Sequence, residues 1–110
     1  MTRVVFYTLG GVLCGFEADG HAGYADAGED IVCAGISAVL LTALGGLTDI
    51  AGIACRVHRR DKRGYLRVLL PEATRDAELI LKVAWNGIMK IAEAHPGFVR
   101  VNVRKRRQGI

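Results

Sequence analysis

The stretch IVCAGISAVLLTALGGL, running from Ile31 to Leu47, decides how this chain folds. It carries no charge, so it reads either as a membrane span or as the central helix of a folded domain. It falls short of the roughly 20 apolar residues that cross a bilayer, and Gly35, Ser37, Thr42, Gly45 and Gly46 interrupt it. Val32, Ile36, Val39, Leu40, Ala43 and Leu47 recur at helical spacing. That pattern predicts a buried helix from about Glu29 to Leu44, closed by Gly45-Gly46. The helix is apolar almost all round, more than one sheet contact requires. A dimer contact, or glycine-rich packing inside one subunit, accounts for the surplus.

Working outward, residues 3–8 and 12–18 flank Leu9-Gly10-Gly11 and predict a strand hairpin. The same residues imitate a short export signal ending in a lipid-modified cysteine. Only Arg3 supplies a leading charge, however, and Leu13 stands before Cys14 where a small residue is needed. Downstream, Ile53 to His58 and Tyr65 to Leu70 alternate apolar and polar residues, as half-buried strands do. A basic turn joins them. Pro71 stops the second strand, and Thr74 caps a helix reaching about Ala94, with Ala77, Ile80, Leu81, Ala84, Ile88 and Ile91 on one face. His95-Pro96-Gly97 breaks that helix before a last strand with Val99, Val101 and Val103 on one side.

The predicted order is ββαββαβ. It describes one α+β domain over residues 1–110, a mixed five-stranded sheet packed against two helices. Polar residues dominate one face of the last three strands, which predicts both helices on the other face.

At 110 residues, with 51% hydrophobic and 24% charged residues, the composition is that of an ordinary globular domain rather than a disordered chain. Cys14, Cys33 and Cys55 are odd in number and lack CxxC spacing, which predicts free thiols in a reducing cytoplasm. The net charge is +4. Much of it sits in Arg56-Val57-His58-Arg59-Arg60-Asp61-Lys62-Arg63 and in Arg104-Lys105-Arg106-Arg107. Such patches meet phosphates or acidic surfaces, or are simply a solvated turn and terminus. Neither has interleaved aromatics for stacking on single-stranded bases.

The candidate chemistry lies between the hairpin and the first helix. Gly20-His21-Ala22-Gly23-Tyr24 places an imidazole in a glycine-bounded loop, and Gly28-Glu29-Asp30 leads to Cys33. A thiol in the first turn of a helix is activated by unpaired backbone N–H groups, and imidazole is the usual base for such a thiol. Asp30 lies three residues before the cysteine and Ser37 four after it, on the same helix surface. Glycines at 20, 23 and 28 let the loop close over a substrate, while amides at the helix start serve an oxyanion. Each residue also has a plain reading: Cys33 as a small core hydrophobe, His21 as a solvated loop residue, Asp30 as a first-turn carboxylate.

Gly20-His21-Ala22-x-Tyr24 followed by Gly28-x-Asp30-Ile31-Val32-Cys33-Ala34-x-Ile36-Ser37 resembles the signature of the bacterial ribosomal-processing cysteine protease family. The resemblance implies that His21 and Cys33 are a catalytic pair, with Asp30 and Ser37 as supports. It also implies a homodimer and a mobile loop, from Ala22 to Glu29, that closes over a peptide. The implied substrate is the N-terminal extension of large-subunit ribosomal protein number twenty-seven, cut after an aromatic pair. Cys14, Cys55 and the basic tail match nothing in the signature.

The competing reading is a non-enzymatic ribosome- or RNA-associated module using the basic turn and tail. A metal site built from Cys14, Cys33, Cys55, His21, His58 and His95 lacks zinc-like spacing. The glycines form neither a dinucleotide fingerprint nor a phosphate loop. No cofactor, metal or membrane association is expected.

Overall fold

The computed structural model describes residues 1–20, 27–61 and 64–106, with residues 27–30 described by their backbone alone. Strands β1 (Thr2–Leu9) and β2 (Val12–Asp19) form the expected hairpin. Gly10 and Gly11 at its tip have φ of +62° and +82°. Two left-handed residues in succession give the tight turn whose twist matches the strands it joins. Then follow α1 (Ala27–Gly45), β3 (Arg56–Arg60), β4 (Tyr65–Leu69), α2 (Arg75–Ala94) and β5 (Val99–Lys105).

The five strands make one mixed sheet in the order β3-β4-β2-β1-β5. Strand β1 runs parallel to β5, and the other three pairings are antiparallel. The α1 connection therefore carries the chain from β2 to β3, two parallel strands with β4 between them. The α2 connection carries it from β4 to β5 across β2 and β1.

Both helices cover one face. Val4, Phe6, Phe16, Ala18 and Val68 point inward and are sealed against Val32, Ile36, Leu40, Ala43 and Leu47 of the first helical run and Ala77, Leu81, Ala84 and Ile88 of α2. Trp85 sets its ring edge-on to Phe6, with centroids 5.2 Å apart at 88°. Each large side chain so buried contributes roughly 1.5–3 kcal/mol. Thr74 caps α2 by accepting the Ala77 N–H at 3.2 Å.

On the opposite face Glu17 accepts the Tyr7 hydroxyl at 3.1 Å and also the Tyr65 hydroxyl. Burial, reinforced by Glu17, raises both phenols, Tyr65 to about 12.

Three boundaries differ from expectation. Helix α1 opens at Ala27 instead of Glu29, and Gly45-Gly46 does not end the helical run. Gly45 is helical at φ −59°, and a wide turn over Gly46–Ile50 follows, closed by the Ala51 N–H on the Gly46 carbonyl at 2.9 Å. Ile80 of α2 packs over the bare Gly46, and the fully buried Leu47 draws the extra turn into the core. Gly52, at φ +66°, stops it.

The helical stretch Ile31–Ile50 thus reaches 20 residues with mean hydropathy 2.1. By length and composition that suffices to cross a membrane, a property shared by core helices of folded domains, and here its buried side chains join the central core.

Strand β3 begins at Arg56, three residues after the expected Ile53, because the Ile53 N–H is bound to the Leu47 carbonyl at 2.8 Å. The basic turn is therefore largely a strand, charged and exposed at the sheet edge, a device that discourages pairing with other chains.

The β1–β2 register slips between Tyr7 and Thr8, and beside that bulge a Cβ on Gly15 would stand 2.3 Å from the Val68 carbonyl oxygen. Gly15→Ala is expected to cost about 2–3 kcal/mol by forcing β2 from β4. Thr74→Ala should cost about 1 kcal/mol through the lost cap. Urea unfolding compares them, and equal losses would refute the strand-contact argument.

Candidate active site

The register fixes where the candidate residues meet. Asp19 pairs with Arg3 on one side and Tyr65 on the other, so the end of β2 and the starts of β1 and β4 lie at one end of the sheet. Gly20 continues from β2 and donates its N–H to the Gly64 carbonyl at 3.0 Å. A Cβ on Gly20 would press within 3.0 Å of the Thr2 hydroxyl oxygen.

Cys33 faces this corner. Its Sγ lies 3.0 Å from Oγ1 of Thr2, a side chain only 3% exposed, and the sulfur is itself half-buried. Thr2 is held in turn by its own N–H, bound to the Phe98 carbonyl at 2.9 Å. Cys33 is thus neither a sealed core hydrophobe nor an open surface thiol.

The early start of α1 moves Cys33 from the expected first turn into the second. Among the described residues, the helix's unpaired amides are those of residues 27–29, one turn ahead of the cysteine, and the amides expected to receive an oxyanion are these. Side chains on a helix lean toward its N-terminus, so the sulfur is inclined toward that turn.

Thr2, Ala18, Gly20, Cys33, Ile36, Ser37 and Gly64 line a cavity of about 90 Å³. Ala18, Ile36, Ser37 and Gly64 also line a larger cleft of about 340 Å³. The cleft's further walls are Leu40, Leu41, Leu66 and Tyr65, with Arg59 and Asp61 at its polar rim. Arg59 and Asp61 form an exposed ion pair at 3.1 Å.

Ser37 is one turn from Cys33, where the sequence placed it, and opens into both spaces. His21, Ala22, Gly23 and Tyr24 lie outside the described residues. Gly28 and Asp30 fall within the helical backbone of α1, so Gly28 belongs to the helix and not to the loop expected to end there.

Sequence reasoning missed Thr2, Gly64, Arg59 and Asp61. Only the long-range pairing brings the start of β1 and the β3–β4 connection to the sulfur, and no local spacing signals that. Among the described residues, no three His, Cys, Asp or Glu side chains gather to hold a metal ion. Cys14 is buried with the Arg106 guanidinium donating to its sulfur at 3.4 Å, and burial pushes the Cys55 thiol up.

A part-buried thiol beside a small cavity, on a helix packed against a mixed sheet, fits a thiol hydrolase. Residues 1–100 match the family described as cysteine protease Prp, and the chain belongs to that family, whose members are hydrolases by class. It is 35% identical over 72 residues to the ribosomal processing cysteine protease Prp of Bacillus subtilis, a match covering 61% of this chain and 64% of that protein, just under two thirds of its length. It is 30% identical over 87 residues to the Staphylococcus aureus protein of the same name, covering 78% of this chain and 82% of that one.

Among solved structures, SMU.848 from Streptococcus mutans superposes with a TM-score of 0.85 at 27% identity, over 96% of each chain. The S. aureus ribosomal processing protease Prp with a substrate peptide gives a TM-score of 0.83 at 25% identity, over 94% of this chain and 99% of that one.

Thr2→Val removes the hydroxyl in hydrogen-bond contact with the Cys33 sulfur, a bond worth about 1 kcal/mol, and should change the rate of Cys33 alkylation several-fold. Thr2→Ser should restore it. Peptide mapping after brief iodoacetamide treatment reads the effect, and an unchanged rate in Thr2→Val would show that the hydroxyl leaves the thiol's reactivity alone.

Proposed function

We propose that this protein is a cysteine endopeptidase of ribosomal processing that removes the N-terminal extension of large-subunit ribosomal protein number twenty-seven, cutting after aromatic residues. The observation carrying this reading is the small cavity at Cys33, which shares Ala18, Ile36, Ser37 and Gly64 as walls with the larger apolar cleft. Clefts of a few hundred Å³ lined by aliphatic side chains take a single large apolar group. Ile36, Leu40, Leu41 and Leu66 supply such walls here. The S. aureus relative has been crystallised with a substrate peptide and with a covalently linked product peptide, which supports a peptide substrate.

In the proposed reaction His21 takes the Cys33 proton and the thiolate attacks the scissile carbonyl carbon. The oxyanion is held by amides at the start of α1. The C–N bond then breaks as His21 protonates the leaving amine, and water hydrolyses the thioester to free the carboxylate and restore the thiol. Asp30 and Ser37 support the nucleophile, and the loop between β2 and α1 closes over the peptide.

Cys33→Ala should lower cleavage of the extended ribosomal protein by at least ~10³-fold with the far-UV spectrum unchanged. Replacing the substrate's aromatic pair by alanine should suppress cleavage by the unaltered enzyme. Mass spectrometry of the product reads both, and full processing by Cys33→Ala would end the proposal.

A homodimer is part of this reading. Ile31 is 69% exposed and Ile50 86%, with Leu79 and Val83 of α2 also open to solvent. Pairing two copies is one way to cover such side chains. Sedimentation at micromolar concentration should give twice the chain mass, and Ile50→Asp should halve it if that turn is the contact; a monomer throughout rejects the dimer. Free thiols at Cys14, Cys33 and Cys55 fit a reducing cytoplasm, which fractionation of cells would check.

A further inference from the structure

The sheet face turned away from both helices carries three straight rows of side chains fixed by the strand register. One row runs Arg60, Tyr65, Asp19, Arg3, Arg100. The next runs His58, Arg67, Glu17, Val5, Asn102, and the third Arg56, Leu69, Gly15, Tyr7, Arg104. Two banks of arginine result. Arg56, Arg60 and Arg67 lie on β3 and β4, while Arg3, Arg100 and Arg104 lie on β1 and β5. Between them β2 presents Glu17 and Asp19. From β3 to β5 is four strand spacings, about 19 Å.

We infer that this face binds duplex RNA, each arginine bank meeting one phosphate strand. Every lysine-or-arginine position on the face is arginine, whose planar fork grips a phosphate through two parallel hydrogen bonds, as lysine's point charge does not. The central carboxylates repel a phosphate chain laid across the middle, which disfavours a single strand. They accept hydrogen bonds, and the shallow groove of an A-form helix offers 2′-hydroxyl donors between its phosphate strands. Glu17 is fixed for that role by the Tyr7 and Tyr65 hydroxyls, and His58 stands edge-on to Tyr65 with centroids 5.8 Å apart. A depression of about 520 Å³, lined by Glu17, Asp19, His58, Arg60, Tyr65 and Arg67, gives the face relief on its β3 side.

Other occupants fit less well. The exposed large hydrophobic residues include none from these rows, so nothing here anchors in a lipid bilayer. A second copy on the same face would set arginine against arginine. The surface differs from the basic turn and tail that sequence alone singles out. It draws Arg3, Arg67 and Arg100 from outside them, while Arg106 of the tail is turned to Cys14. It is independent of Cys33 and of the peptidase reading.

Fluorescence anisotropy of the full chain with a labelled RNA duplex of about 20 base pairs tests the proposal. Four phosphate contacts predict a fall in affinity of roughly 10²-fold between 50 and 200 mM salt. The paired change Arg60→Glu with Arg100→Glu, one exposed residue from each bank, should weaken binding at least tenfold, and Lys82→Glu on α2 should not. Both variants should process peptide substrate at the normal rate. The proposal is overturned if the duplex does not bind at 50 mM salt, or if the double variant binds it as before. Equal or tighter binding of single-stranded RNA, polyglutamate or phosphatidylserine vesicles would overturn it too.

Discussion

The contact on which the rest of the molecule depends is that between the inward row Phe6–Phe16–Val68 and the buried stripe Val32–Ile36–Leu40–Ala43–Leu47. A helix packed by one stripe has its rotation fixed, because turning it by one residue would lift the stripe from the sheet. Once Val32 and Ile36 are seated, Cys33 and Ser37 must lie along the flank of that contact, at the boundary between core and solvent. The half-burial of the sulfur follows from the core and needs no separate device. The register of β1 with β2 then brings Thr2 to the same level, and the bulge at Cys14, beside Gly15, sits toward the other end of the hairpin, away from it.

Much of this architecture is legible in the sequence because it rests on local periodicity. The hairpin at Gly10-Gly11, the cap at Thr74, the face of α2 and the valine alternation of β5 each depend on residues within one element. The readings that differ concern competition between elements. Gly45-Gly46 is a sound helix stop in isolation, and it fails because Leu47 gains more from burial than the glycines lose in backbone freedom. Ile53 alternates correctly with Cys55 and Val57, yet its amide is already bound to Leu47 and cannot join a ladder.

The site divides along the same line. Cys33 and Ser37 are one helical turn apart and are read directly from spacing. Thr2 touches the sulfur across 31 residues of sequence, and Gly64 reaches the same cavity from the far side of the sheet. Only the strand order β3-β4-β2-β1-β5 makes those neighbours. The charge pattern shows the same limitation. Arg56, Arg60 and Arg104, parts of a turn and a tail in one dimension, join Arg67, Arg3 and Arg100 in two banks once β3 and β5 take opposite edges of the sheet.

The position of Thr2 has a practical consequence for handling this protein. Its main chain is hydrogen-bonded to Phe98 and its side chain rests on the sulfur, so the start of β1 forms part of the wall around the thiol. A bulky substituent introduced at Thr2 crowds the thiol and fills the small cavity beside it. Labels for purification or imaging therefore belong on surfaces remote from that cavity.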